Sequence, residues 1–145
     1  MNQKKEQNSL NGVDILILCG GLGTRLRPVV SDRPKAMAEV GEKPFLEIVV
    51  SDLLKQGFRR IIFCTGYMSD HIEGYFKKLS KPKDVVFEFS REEKPLGTGG
   101  AVKKALKFVK SEKFFVINGD TFSNLDFNGF YFHQRDKESP LSIAL

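Results

Sequence analysis

The chain has 145 residues, with 23 Lys+Arg against 18 Asp+Glu, two Cys, no Trp and 13 Phe. That length suits one domain of about 100–200 residues, large enough to bury a core without a disulfide or metal staple. A content of 41% hydrophobic and 28% charged residues excludes disorder over the whole chain. No apolar run approaches the roughly 18 residues of a membrane span, and the start MNQKKEQNSLNG lacks the apolar segment of a secretory signal. A cytoplasmic protein with no membrane partner is therefore expected. The formal charge of +5 favours anionic partners. Most of it falls in short scattered groups, such as Lys77-Lys78 and Lys103-Lys104, that suit solvated helix faces.

Residues 1–12 are expected to be a flexible arm. The apolar run Val13 to Leu18 ends in Gly20-Gly21 and reads as a buried strand. After Pro44, which suits a first helical turn, Leu46, Val49, Val50, Leu53 and Leu54 recur at helical spacing until Gly57 stops the pattern. Ile61 to Cys64 is the second strand. Ser69 or Asp70 caps a helix with an apolar stripe of Ile72, Tyr75, Phe76 and Leu79. Val85 to Phe89 is the third strand. Gly97-Thr98-Gly99-Gly100 opens a helix with Ala101, Val102, Ala105, Leu106 and Val109 on one face, and Thr98 is its expected cap. Phe114 to Ile117 is the fourth strand, residues 127–137 a helix, and Leu141 to Leu145 the start of a fifth strand. Strands alternating with crossovers of this length predict an α/β fold: a three-layer α/β/α, Rossmann-like arrangement with a mostly parallel sheet and helices on both faces. Ligands in such sheets bind at the carboxyl ends of the strands, where strand order reverses. The loops after Leu18 and Ile117 should therefore face each other across one cleft.

The chemistry concentrates in that cleft. In Leu18-Cys19-Gly20-Gly21-Leu22-Gly23-Thr24-Arg25-Leu26-Arg27-Pro28 the glycines permit a tight turn and close approach of a ligand. Successive backbone N–H groups there suit phosphate oxygens, and Arg25 adds a planar fork. The dinucleotide fingerprint G-x-G-x-x-G fits only in part, because Leu26 holds the third glycine position, and no Gly-Lys-Ser/Thr closes an ATPase P-loop. Downstream, Pro34 stiffens the backbone before Lys35. Asn118-Gly119-Asp120 places a carboxylate after the fourth strand, although the same tripeptide is ordinary turn chemistry. His71 and His133 read as surface residues, with no companion ligands at metal-binding spacing. Cys19 and Cys64 read as buried free thiols at the ends of neighbouring strands.

The ordered set Gly20-Gly21-Leu22-Gly23-Thr24-Arg25-Leu26-(x)-Pro28, Pro34-Lys35-(x)-Met37 and Lys43-Pro44-(x)-Leu46-Glu47 resembles the signature of sugar-1-phosphate nucleotidyltransferases, the nucleoside-diphosphate-sugar pyrophosphorylases. Glu93-Lys94-Pro95-Leu96-Gly97-Thr98-Gly99-Gly100-Ala101 is similar to the family's nucleotide-binding loop, and Gly119-Asp120 to its metal-binding motif. The wording looks closest to the D-glycero-D-manno-heptose-1-phosphate guanylyltransferases, with the mannose-1-phosphate guanylyltransferases next. The resemblance implies transfer of a nucleotidyl group from a nucleoside triphosphate, GTP favoured, to a sugar 1-phosphate with release of pyrophosphate. Thymidylyl-, uridylyl- and cytidylyltransferases of the same family are the alternatives. By resemblance, Arg25 clamps the triphosphate, Lys35 offsets phosphate charge and Asp120 holds Mg²⁺. Leu18, Gly20, Gly21, Gly23, Thr24 and Arg25, with Gly97, Thr98 and Gly99, line the nucleotide.

The same resemblance implies that residues 13–145 are the nucleotide-binding portion, with the acceptor-sugar half absent. A non-catalytic nucleotide-binding module is the competing reading. An open sheet edge would favour self-association into a homo-oligomer. No basic-aromatic surface points to nucleic acid.

Overall fold

The computed structural model describes residues 10–21, 32–135, 137 and 139–144. Among these residues four strands form one parallel sheet: β1 (Asp14–Leu18), β4 (Arg60–Thr65), β5 (Val86–Arg91) and β6 (Phe114–Asn118). A small antiparallel hairpin, β2 (Glu39–Val40) and β3 (Lys43–Pro44), lies between β1 and the first helix. The helices are α1 (Phe45–Lys55), α2 (Ser69–Lys78), α3 (Gly97–Ala105) and α4 (Phe127–Arg135). The sheet order is β5-β4-β1-β6. Order therefore runs outward from β1 through β4 to β5, then returns to the other side of β1 for β6. The reversal lies between β1 and β6, and the expected three-layer α/β/α architecture is the one observed.

β1 sits centrally and is apolar on both faces, so its side chains alternate between two cores. Ile15 and Ile17, with Ile61 and Phe63 of β4, face the side that carries α1, α2 and Phe127 of α4. Leu16, with Ile62 and Cys64, faces Ala101 and Ala105 of α3. The small alanines let α3 approach the sheet closely, where the larger core holds aromatic rings.

Helix α1 ends as its sequence dictates. Gly57 takes φ +110°, a conformation suited to glycine. Its N–H reaches Leu54 O, and the N–H of Phe58 reaches Leu53 O, the paired bonds of a Schellman termination. That turn delivers Phe58 into the core, edge-to-face on Phe115 (5.6 Å) and Phe127 (5.5 Å). Phe58 is fully buried, so Phe58→Ala is expected to destabilise by about 3–5 kcal/mol, measured by urea denaturation. A loss under about 1 kcal/mol would show that the three-ring cluster is not a keystone of this core.

Helices α1 and α2 are tied by a buried carboxylate. Glu47 accepts a hydrogen bond from Lys43 Nζ (2.8 Å) and a short one from the Tyr75 hydroxyl. These donors, Lys43 first, hold the Glu47 carboxyl below its ordinary range, while the bond to Glu47 and then burial push Tyr75 up to about 12.

Several expectations shift. Residues 10–12, expected in the flexible arm, belong to the fold: Leu10 is fully buried and its carbonyl accepts the Val13 N–H, making residues 10–13 a turn, while the rest of the expected arm lies outside the described residues. Pro44 closes β3 and caps α1 instead of entering its first turn. The cap of α2 is Met68 in the left-handed region, and neither Ser69 nor Asp70 caps: Ser69 Oγ is buried without a partner and Asp70 pairs with Arg91. The third strand runs to Arg91. Helix α3 gives way at Leu106 to a 3₁₀ turn, Leu106–Phe108, that leaves Leu106 exposed. The strand expected from Leu141 is absent among the described residues. Residues 141–144 have no regular structure and Leu141 and Ile143 are exposed, because an apolar run becomes a strand only when a neighbour pairs with it. Helix 127–137 ends at Arg135, where Lys113 Nζ binds the carbonyls of Gln134 and Arg135. A cation there offsets the negative end of the helix.

Candidate active site

Two loops meet at the strand reversal. Beyond β1, the Gly119 N–H donates to Leu18 O (2.9 Å) and the Cys19 N–H to Cys64 O (3.0 Å), so the pairing continues one residue past each strand. Gly119 is confined: an added Cβ would lie 3.0 Å from Ile17 Cγ2 and 3.1 Å from Cys19 Cβ. A side chain would push β6 away from β1, and with it Asp120. Gly20 is confined on its other side. A Cβ there would stand 3.1 Å from Gly66 N, while one on Gly66 would stand 2.9 Å from Gly20 O. Gly20 therefore serves the contact between the loops after β1 and β4. A Cβ on Gly21 meets nothing among the described residues.

Lys35 reaches this place through a short rigid device. Pro34 is extended (φ −61°, ψ 147°), and a 3₁₀ turn follows over Lys35–Met37, closed by Met37 N–H to Pro34 O (2.8 Å) and Ala38 N–H to Lys35 O (3.1 Å). Ala36 and Met37 are buried and anchor the turn in the core. Lys35 is left pointing outward, and its Nζ donates to Asp120 Oδ2 at 2.6 Å across 85 residues of sequence. Asp120 Oδ1 accepts from Thr121 Oγ1 at 3.3 Å. The Lys35 bond holds the Asp120 carboxyl below its ordinary range against a smaller opposing effect of burial. The two side chains are 42% and 39% exposed. An ion pair that open contributes at most about 1 kcal/mol to folding, so stability does not explain why two rigid loops converge on it.

The third element is the start of α3, which packs against β1, β4 and β5. Gly97 has φ +72°, a left-handed conformation that favours glycine. A Cβ on Gly100 would lie 2.7 Å from Leu96 Cβ. Residues 93–99 are exposed, so the first-turn N–H groups of α3 face outward, where anions are favoured. Thr98 makes no cap bond. Instead the carboxylate of Glu92 accepts the Leu96 N–H (2.9 Å) and shapes the loop before the helix.

The structure thus brings Leu18, Gly20, Lys35 and Asp120 to one end of the sheet, with Gly21 beside them and the Gly97–Gly99 turn on the α3 face that Leu18 packs against. Gly23, Thr24 and Arg25 lie outside the described residues. The sequence reading missed Gly66 and Glu92. A glycine directly after β4, matching Gly20 after β1, was the available signal for the first; nothing in the sequence marked the second.

His71 and His133 are exposed, and no group of three His, Cys, Asp or Glu is placed to hold a metal among the described residues. Cys19 and Cys64 are free and buried. Their side chains belong to opposite cores, and burial pushes Cys64 up to about 12 and Cys19 higher still. Neither is a thiolate nucleophile at neutral pH. Among the described residues no helix is long and apolar enough to cross a membrane.

Comparison with known proteins identifies the family and the fold. The D-glycero-alpha-D-manno-heptose 1-phosphate guanylyltransferase of Campylobacter jejuni is 44% identical over 130 residues, 90% of this chain and 56% of that protein. The enzyme of the same name from Aneurinibacillus thermoaerophilus is 41% identical over 133 residues, 92% of this chain and 57% of its own length. The chain thus spans little more than half the length of the curated relatives it matches. The crystal structure of HddC from Yersinia pseudotuberculosis complexed with GMP-PN superposes with a TM-score of 0.77 at 44% identity, covering 86% of this chain and 55% of that one. A parallel sheet with its loops gathered at the β1–β6 reversal, and a match to the nucleotidyl transferase family model over residues 15–145, place the chain in the nucleotidyl transferase family.

Proposed function

We propose that residues 13–145 form the nucleotide-binding portion of an enzyme that makes a nucleoside-diphosphate sugar and pyrophosphate from a nucleoside triphosphate and a sugar 1-phosphate. The favoured substrates are GTP and D-glycero-D-manno-heptose 1-phosphate, with mannose 1-phosphate second. The carrying observation is the pairing of Lys35 with Asp120 at the strand reversal.

The reaction is an in-line attack of the sugar phosphate on the α-phosphorus, so catalysis rests on positioning and charge neutralisation. Gly20 and Gly21 let the nucleotide lie against backbone, and the N-terminal turn of α3, Gly97-Thr98-Gly99, faces its base or ribose. Arg25, with Gly23 and Thr24 beside it, clamps the triphosphate. Lys35 neutralises the attacking phosphate or the departing pyrophosphate.

A carboxylate offers about four lone-pair sites. Asp120 uses two, toward Lys35 and Thr121, which leaves room for a hard cation. Mg²⁺ is commonly held by one or two carboxylates together with substrate phosphates, and the single half-exposed carboxylate of Asp120 fits that role. When bound, the ion supplies Lewis-acid polarisation of phosphate oxygens and a template for in-line geometry.

The test is pyrophosphate release from GTP with heptose or mannose 1-phosphate and Mg²⁺, run beside UTP, dTTP and CTP. Turnover with GTP supports the reading, and turnover confined to another triphosphate moves the base assignment. GTP binding without turnover in any mixture would favour the second reading, a nucleotide-binding module. That reading draws on the chain spanning little more than half the length of the relatives it matches.

A further inference from the structure

We propose that Lys35 is the resident counter-ion of Asp120, and that a divalent cation gains this carboxylate only together with a triphosphate that takes the lysine in exchange. The inference rests on the nucleotide-binding reading above and adds an order of events to it. In the structure the ammonium of Lys35 occupies Asp120 Oδ2 at 2.6 Å. A dication arriving at either carboxylate oxygen would meet a positive charge on the same group. Among the described residues no group of three His, Cys, Asp or Glu side chains gathers there to compensate it. Asp120 alone is then a poor metal site.

A triphosphate changes both sides of the balance. Its oxygens supply the missing ligands for a cation that gives up water reluctantly, and they offer Lys35 a polyanion in place of one carboxylate. The device suits a pair that is open on both sides. The turn bearing Lys35 is anchored by Ala36 and Met37, and Asp120 by the confined Gly119. The exchange therefore needs only side-chain rotation, with no movement of either loop. Because the pair contributes little to folding, the exchange opens no part of the core. Metal and nucleotide should then be positively coupled, each tightening the other by the same factor.

The experiment titrates the full chain with Mn²⁺, read by loss of the free-ion electron paramagnetic resonance signal beyond that of a protein-free titration at the same GTP concentration, with and without GTP and with no sugar phosphate present. Wild type should bind Mn²⁺ weakly alone and at least about tenfold more tightly with GTP. Lys35→Met should tighten nucleotide-free Mn²⁺ binding by about fivefold or more and shrink the coupling. Lys35→Arg, which keeps the charge, should behave as wild type, and Asp120→Asn should lose the site. Circular dichroism checks that each variant is folded.

Unchanged or weaker Mn²⁺ binding in folded Lys35→Met would overturn the proposal, as would Lys35→Arg behaving like Lys35→Met. If wild type binds no nucleotide at all, the functional reading fails, while the nucleotide-free arms still decide the role of Lys35.

Discussion

On the proposed function, Asp120→Asn is expected to lower pyrophosphate release from GTP and heptose 1-phosphate by about 10²–10³-fold, with folding stability changed by less than about 1 kcal/mol. The asparagine keeps the shape and a neutral acceptor but removes the charge that draws Lys35 and would hold Mg²⁺. Both groups are half exposed, so neither is left buried and unpaired, and the effect should fall on rate alone. Lys35→Ala should give a loss of similar size. The double variant should lose about as much as the worse single one, because groups that act as a unit are not additive. The measurement is single-turnover pyrophosphate release beside urea denaturation of each variant. A rate within about threefold of wild type in Asp120→Asn would remove this carboxylate from the mechanism. A comparable loss of stability and rate would mean that the pair is structural.

The second large effect lies at the opposite end of the sheet. Asp14 opens β1 and is fully buried. It accepts the N–H of Lys110 (2.6 Å) and of Ser111 (2.8 Å), the Ser111 hydroxyl (3.2 Å) and Arg60 Nε (2.8 Å). Arg60 in turn donates to Phe108 O (2.9 Å). One carboxylate thereby joins β1, β4 and the turn that follows the 3₁₀ segment before β6. Asp14→Ala would leave a largely buried guanidinium and two backbone N–H groups without their acceptor, a loss of about 3–5 kcal/mol. Denaturant midpoints of the two proteins would show it, and a difference below about 1 kcal/mol would contradict this account.

The same site predicts an acid limb. Burial raises the Asp14 carboxyl, but the bonds from Lys110, Ser111 and Arg60 outweigh it and hold it below its ordinary value. A depressed native pKa means that the unfolded chain binds the proton first as pH falls. The contribution of Asp14 is complete above the unfolded value of about 3.9 and is lost as pH drops through the lower native one. The stability gap between wild type and Asp14→Ala should therefore stay constant from neutral pH to about 5 and narrow below about 4. A gap that persists undiminished to the lowest accessible pH would show that the carboxylate charge is not what the site uses.

The two ends of β1 divide the labour of the fold. The Asp14 end is buried, fully bonded and matters for stability. The Gly20–Asp120 end is open and weakly stabilising, which suits ligand exchange. Gly20, Gly66 and Gly119 let three strand ends converge there without side chains between them.

Much of this was determined by the sequence alone. Helical spacing from Leu46 to Leu54 and the stop at Gly57 led to α1 and its termination, because both are local. The apolar runs at 13–18 and 61–64 led to the buried parallel strands β1 and β4, because a strand covered on both faces has no polar side; the run at 114–117 led to β6, which is only partly buried. Motif order carried the family and the candidate residues Lys35 and Asp120.

What only the tertiary structure decided are matters of partnership between distant segments. Leu141 to Ala144 carry strand-like side chains yet pair with no strand among the described residues, since a strand is made by its neighbour. Ser69 and Thr98 have the chemistry of caps but do not cap, because Met68 and Leu96 already set the helix entries. Gly20 suited a ligand turn in the sequence, and the structure gives it Gly66 as a backbone neighbour. Lys35 and Asp120 were each assigned to a phosphate or a metal. That they hold each other follows from the placement of β6 beside β1, a long-range pairing that no local pattern of residues encodes.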